Sequence, residues 1–297
     1  MKVLTEEQVD HFIERGYVRL EEAFSPQQAL AAQDFLWERL AANGLKKEDP
    51  ASWTEPLVHL KETYTDPVFG ACSTERLRDA VEDLVGRGRW SDREATGNWG
   101  WWPVNFSLGS DRPWDVPTGG WHWDGQHFRH FADSPDQGLL LLCMFSETGS
   151  HGGATLVADG SHFIVARHLA SRPEGWDHQE ALRSCPSTHP WLAELTGRPY
   201  GEETSAATSR GGRIHHFMHN ITMVERREYL LVEEAVASPG DVYLCHPFLY
   251  HAPSQNHSGV PRFMCNRTTP LRERMQIHRT DEDYSAVEIS IRRALGL

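Results

Sequence analysis

Gly240-Asp241-Val242-Tyr243-Leu244-Cys245-His246-Pro247-Phe248-Leu249-Tyr250-His251-Ala252-Pro253-Ser254 reads as a glycine turn, a short apolar strand and a second turn carrying histidine, after which Arg262 opens a returning strand behind Pro261. Strand, turn and returning strand imply antiparallel pairing. Further short apolar runs between Gly/Pro turns lie at Trp102 to Leu108, Leu139 to Ser146, Ala154 to Val157 and Tyr229 to Ala237, alongside Asp241 to Cys245 and Arg262 to Thr269. Several spaced strands without alternating helices favour an antiparallel sandwich, barrel or jelly roll over a parallel sheet wound with helices.

Helices flank this β core. Thr5-Glu6-Glu7-Gln8 is a capping box for a helix that stops near Gly16, and Ser25-Pro26-Gln27-Gln28 opens a second that carries Leu30, Phe35, Leu36 and Leu40 and ends by Gly44. Tyr17 to Leu20 is a strand between them, and a third helix follows Thr74 and ends at Gly86. Ser285-Ala286-Val287-Glu288 opens a last helix. The reading is one domain over 1–297: helical at about 1–90, β core at about 99–270 with an insertion at about 167–228, and a C-terminal helix at about 285–295. The expected class is mostly β with flanking helices.

Composition narrows the function. In 297 residues, 29 Lys+Arg face 42 Asp+Glu, a net charge of −13, which argues against nucleic-acid phosphate as the main partner. The longest apolar run, Leu139 to Phe145, is far short of the ~20 residues that span a bilayer. Met1-Lys2-Val3-Leu4-Thr5-Glu6-Glu7 turns acidic before a signal peptide can form, so a cytoplasmic address is expected. Five cysteines with no CxxC spacing indicate neither a disulfide framework nor a zinc ribbon.

The chemistry centres on Trp121-His122-Trp123-Asp124-Gly125. Residues two apart on a strand share a face, so His122 and Asp124 present an imidazole and a carboxylate side by side. Alone the pair is weak, since a chain this rich in both residues supplies about one HxD by chance. A third histidine from the 240–254 segment completes the two-His-one-carboxylate set that suits non-haem Fe(II), and Arg262 offers a planar fork for the distal carboxylate of an organic acid.

Trp99, Trp101, Trp102, Trp114, Trp121 and Trp123 crowd the same region. Alternation turns Trp121 and Trp123 away from the metal, and the others either pack the core or wall a pocket. His215-His216-Phe217-Met218-His219 lacks the glutamate of a zinc-protease helix. Arg210, Arg213, Arg226 and Arg227, opposed only by Glu225, form a basic stretch that is either a solvated loop or a site for an anionic substrate.

In this order and spacing, the chain resembles the phytanoyl-CoA dioxygenase-like family of Fe(II)/2-oxoglutarate-dependent oxygenases. Phe12-Ile13-Glu14-Arg15-Gly16-Tyr17-Val18, the HxD-G of His122 to Gly125, Gly160-Ser161-His162, and the block from Gly240-Asp241 through His251 to Arg262 carry the likeness over most of the chain. The resemblance implies a double-stranded β-helix of jelly-roll, cupin-like form. His122, Asp124 and His251 would hold Fe(II), and Arg262 would clamp 2-oxoglutarate. The family's spacing to the arginine favours His251 over His246, while His257 falls in the turn.

Asn105 is placed either to hydrogen-bond 2-oxoglutarate or to pair within the core, and Thr155 has a similar claim. Many members carry a hydroxyl residue two positions after the distal histidine. Pro253 stands there with Ser254 next, which weakens that contact and leaves Ser254 its candidate. Asp159 replaces the proline usual before Gly-Ser-His. Related halogenases lose the carboxylate that Asp124 keeps, which favours hydroxylation of a small molecule by O2 and 2-oxoglutarate, with succinate and CO2 as co-products. The alternatives are a non-catalytic jelly-roll binding or sensor protein, against which the full His122/Asp124/His251/Arg262 set argues, and a cupin-like metalloenzyme without 2-oxoglutarate, against which Arg262 argues. Neither the substrate nor the oligomeric state is encoded legibly.

Overall fold

Leu139 to Phe145 is apolar at every position because it is covered on both sides. Leu140, Leu142 and Met144 join a small cluster with Tyr17, Val157, Tyr243, Cys245, Leu249 and Met264. Leu139, Leu141, Cys143 and Phe145 belong instead to the large core shared with the helices. Alternation thus sends half of one strand into each layer. A computed structural model describes residues 1–93, 99–201, 212–223 and 228–297.

One antiparallel sheet has the order β1 (Tyr17–Leu20), β8 (Val242–Cys245), β4 (Leu140–Met144), β10 (Met264–Thr268), with Tyr17 opposite Cys245, Leu142 opposite Tyr243 and Cys143 opposite Cys265. A second has the order β6 (Thr222–Met223), β7 (Tyr229–Glu234), β5 (Leu156–Asp159), β9 (His251–Ala252). Residues from both sheets meet in the small cluster, so the sheets face one another across it. A two-stranded ribbon, β2 (Leu57–Leu60) with β3 (Trp102–Asn105), continues towards Arg262 through an isolated Asn105/Arg262 bridge.

Helices hold more of the described residues than strands do, since the strands are short and several contacts between them are single bridges. The capping boxes at Thr5, Ser25 and Ser285 are formed and open α1 (Glu6–Arg15), α2 (Pro26–Ala42) and α9 (Ala286–Leu295). Thr74 caps α4 (Glu75–Val85), and α3 (Pro67–Cys72) precedes it.

Gly160-Ser161-His162 opens α5 (Ser161–Ala170) rather than closing a simple turn. Gly160 has φ +77°, and a Cβ there would lie 1.9 Å from the Tyr229 carbonyl oxygen, so only glycine fits. The preceding Asp159 is buried at the end of β5, and Arg15 Nη1 donates to its Oδ2 at 2.9 Å, tying α1 to the second sheet.

The 167–228 region contains α6 (His178–Ser184), α7 (Pro190–Leu195) and α8 (Gly212–Ile214), which runs into a π-helical turn over His215–His219. Trp191, Leu192, Leu195 and Phe217 from it join the large core. All five cysteines are free and buried. No helix among the described residues is long and apolar enough to cross a membrane.

Candidate metal centre

His122 and His251 face each other as an isolated antiparallel pair. The His122 N–H donates to the His251 carbonyl at 3.0 Å, and the His251 N–H donates back at 2.8 Å. Directly opposed residues project to the same side, so the rings approach to 4.4 Å between centroids. Asp124, two residues on, places Oδ1 3.5 Å from His122 Nε2 and 3.9 Å from His251 Nε2. The three ligand atoms lie within 4.8 Å of one another, the one such His/Cys/Asp/Glu group among the described residues.

The outer nitrogens fix the rings. His122 Nδ1 lies 2.7 Å from the Gly120 carbonyl oxygen and His251 Nδ1 lies 3.1 Å from that of Leu249. A carbonyl only accepts, so each Nδ1 carries a proton and each Nε2 is turned towards Asp124. His251 Nε2 is buried and has no hydrogen-bond partner. An orphaned buried acceptor beside a carboxylate and a second imidazole fits a cation, and the donor set suits a non-haem Fe(II) ion.

The His251 side chain is 5 % exposed, while His122 and Asp124 are 35 % and 27 % exposed, so the group is anchored on one side and open on the other. Burial opposes the charge on Asp124, but the hydrogen bond from His122 and the neighbouring imidazoles outweigh it and hold the carboxyl near 2. Burial likewise disfavours charge on His122, yet Asp124 raises it above the usual range. His251 is pushed down to about 4 by burial and then by His122.

Arg262 lies inside the protein, 2 % exposed. Its Nε donates to the Gly153 carbonyl at 2.9 Å and Nη1 to that of Pro103 at 3.2 Å, and no carboxylate among the described residues pairs with it. Burial alone lowers it to about 10. A buried guanidinium without a counter-ion is costly, so this position suits an incoming anion.

Asn105 Nδ2 donates to the Ser254 carbonyl at 3.0 Å, and its Oδ1 accepts from the Leu108 N–H at 3.0 Å. Ser254 Oγ donates to the Ala154 carbonyl at 2.6 Å, and Thr155 Oγ1 lies 3.4 Å from Met264 Sδ. All three side chains therefore have partners inside the protein.

Other candidates lie elsewhere. His246 packs against His162 and Phe12, and its Nδ1 accepts from the Phe248 N–H at 3.2 Å. His257 is exposed. His215 and His219 stand 6.1 Å apart between centroids in the π-helical turn. Arg213 donates to the carbonyls of Val116, Glu194, Pro117 and Leu195 at 2.7, 3.2, 3.0 and 2.6 Å, so its role is to fasten loops. Arg210, Glu225, Arg226 and Arg227 lie outside the described residues.

Trp99 and Trp102 are wholly buried among Phe24, Phe69 and Phe145. Trp114 stacks on His151, and Trp101 is exposed with φ +64°. Two histidines that sequence reasoning did not single out, His130 and His178, touch the backbone on either side of Asp124.

No protein-family model matches the chain, and none of the curated proteins does. Among solved structures, the chain is similar to the epimerase SnoN in complex with Fe3+, alpha ketoglutarate and nogalamycin RO, at 15% identity over 88% of this chain and 81% of that one, with a TM-score of 0.46. HygX from Streptomyces hygroscopicus, with nickel, 2-oxoglutarate and hygromycin B bound, is 15% identical over 89% and 86%, with a TM-score of 0.44. EctD from S. alaskensis in its apoform is 17% identical over 89% and 75%, with a TM-score of 0.45.

Proposed function

We propose that the protein is an Fe(II)/2-oxoglutarate-dependent oxygenase that hydroxylates a carbon of a small molecule, built on a double-stranded β-helix formed by the two facing sheets. The observation that carries this reading is the convergence of His122, Asp124 and His251 on one point, with an orphaned buried His251 Nε2. The uncompensated buried Arg262 supports it.

Bound Fe(II), O2 and 2-oxoglutarate would supply the oxidation, in which the co-substrate leaves as succinate and CO2 while a substrate C–H becomes C–OH. The chain's own part is positional. His122 and His251 turn their Nε2 atoms to the site, their Nδ1 protons held by backbone carbonyls, and Asp124 offers a carboxylate kept ionised. Arg262 would take the distal carboxylate of 2-oxoglutarate through guanidinium donors backed by the Gly153 and Pro103 carbonyls. The exposed side of His122 and Asp124 is where a substrate carbon would be presented.

The test is anaerobic loading with Fe(II), calorimetric titration of 2-oxoglutarate, and O2-dependent succinate release with and without candidate substrates. Saturable co-substrate binding and metal-dependent succinate are expected. Absence of both would remove the reading.

A further inference from the structure

Apart from the His122/His251 bridge, the chain from Trp121 to Arg129 pairs with no strand. The carbonyls flanking Asp124 therefore need hydrogen-bond donors from elsewhere. Two buried histidines provide them. His178 Nε2 lies 2.8 Å from the Trp123 carbonyl oxygen, and His130 Nε2 lies 2.8 Å from that of Gly125. Trp123 Nε1 donates to His130 Nδ1 at 3.3 Å, leaving the His130 proton on Nε2, where the Gly125 carbonyl requires it.

The two rings are stacked, 4.9 Å between centroids and 26° between planes, and the Trp123 indole stands edge-on to both. One small unit delivers the pair. His130 and Trp176 exchange backbone hydrogen bonds of 2.9 and 2.8 Å, and His178 follows two residues after Trp176 as the first residue of α6. Gly125 is shaped to receive it: φ is +121°, and a Cβ there would lie 2.6 Å from His130 Cε1.

We propose that His130 and His178 are positioning residues for Asp124. By holding the Trp123 carbonyl, in the peptide that enters Asp124, and the Gly125 carbonyl, one peptide beyond the one that leaves it, they fix the backbone around Asp124 and set where its carboxylate points. The α6 segment is thereby part of the metal centre's support rather than a decoration on it. This rests on the metal-centre reading above, and it can be tested separately from it.

Co(II) serves as the probe. In the full-length protein, His130→Leu and His178→Leu should each weaken Co(II) affinity by roughly 10- to 100-fold and shift the visible Co(II) band. His130→Gln and His178→Gln, which keep a donor near Nε2, should restore the parent band and most of the affinity. In the metal-free protein, hydrogen exchange over 123–128 should be faster in the Leu variants than in the parent and the Gln variants.

Folded Leu variants with parental affinity, band and exchange would overturn the proposal, as would Gln variants no better than Leu. If a Leu variant does not fold, Gly125→Ala, whose Cβ would push on the His130 and Phe128 rings while leaving both histidines in the chain, should shift the band in the same way; an unchanged band and exchange would reject the clamp. A parent that binds no Co(II) would sink the metal-centre reading, and exchange in the metal-free protein would then decide the clamp by itself.

Discussion

At the scale of single residues, the candidate centre makes two separable demands. His122→Ala removes one of three donors from a site with no fourth candidate among the described residues, so Fe(II) or Co(II) affinity should fall at least about 100-fold. The side chain is 35 % exposed, so the fold should survive; equilibrium dialysis with circular dichroism reads both effects. Retained metal would show the ligand set to be wrong. Arg262→Leu removes a charge-assisted fork and should raise the 2-oxoglutarate Kd roughly 10- to 100-fold while metal affinity stays within about 3-fold, which calorimetry separates. An unchanged Kd would reject the anchor. The His122/Asp124 pair is legible because two-residue alternation puts both on one face, whereas His251 as the third ligand and Arg262 as the 2-oxoglutarate clamp are singled out only through the family resemblance. His130 and His178 leave no spacing signature: their partners are backbone carbonyls in an irregular segment, and in the case of His178 the partner is 55 residues away in sequence.

At the scale of elements, what was legible had local causes. Capping boxes are four-residue hydrogen-bond motifs, so the starts of α1, α2 and α9 could be read from the pairs Thr5/Gln8, Ser25/Gln28 and Ser285/Glu288. β2 exists only because Leu57 to Leu60 pairs with β3, and α6 and α7 are too short to carry a clear period, so tertiary contacts decide them. The α5 start is the sharpest case, because a glycine that looks like ordinary turn punctuation sits against the Tyr229 carbonyl. Gly160→Ala combines a left-handed φ with a backbone collision and should cost at least about 2 kcal/mol. Gly119→Ala has open space and no positive φ, and should stay within about 0.5 kcal/mol. Urea midpoints of the two variants provide the comparison, and equal midpoints would show that the loop yields.

At the scale of the whole molecule, the histidines shape stability as well as the site. Burial holds His130, His168 and His251 near 4 and His162 near 3, all from an ordinary value of 6.5. These rings are neutral in the folded chain and take up protons once it unfolds. Their contribution is therefore present above pH 6.5 and lost as pH falls towards 4 and 3. Each costs roughly 1.4 kcal/mol per pH unit in that window, so the four together withdraw roughly 5 kcal/mol by pH 5.5, comparable to the whole stability of many domains. Asp159 acts in the opposite sense. Burial raises it to about 8 and Glu233 adds to this, with Arg15 opposing, so its contribution is present in acid and lost as pH rises from the ordinary carboxylate range to 8. Below pH 6.5 these four outweigh Asp159, and above 6.5 Asp159 and the raised His122 both lose their contributions as pH rises. The metal-free protein should therefore be most stable near neutrality, lose urea resistance steeply below pH 6 and decline gently towards pH 8. Asp159→Asn should flatten the alkaline limb and steepen the acid limb, because the opposing slope that Asp159 supplies across pH 5.5 to 6.5 is removed. Urea midpoints at pH 5.5, 6.8 and 8.5 for both proteins decide this, and a flat parent profile from pH 7 to 5.5 would mean that the buried histidines reach solvent before the chain unfolds.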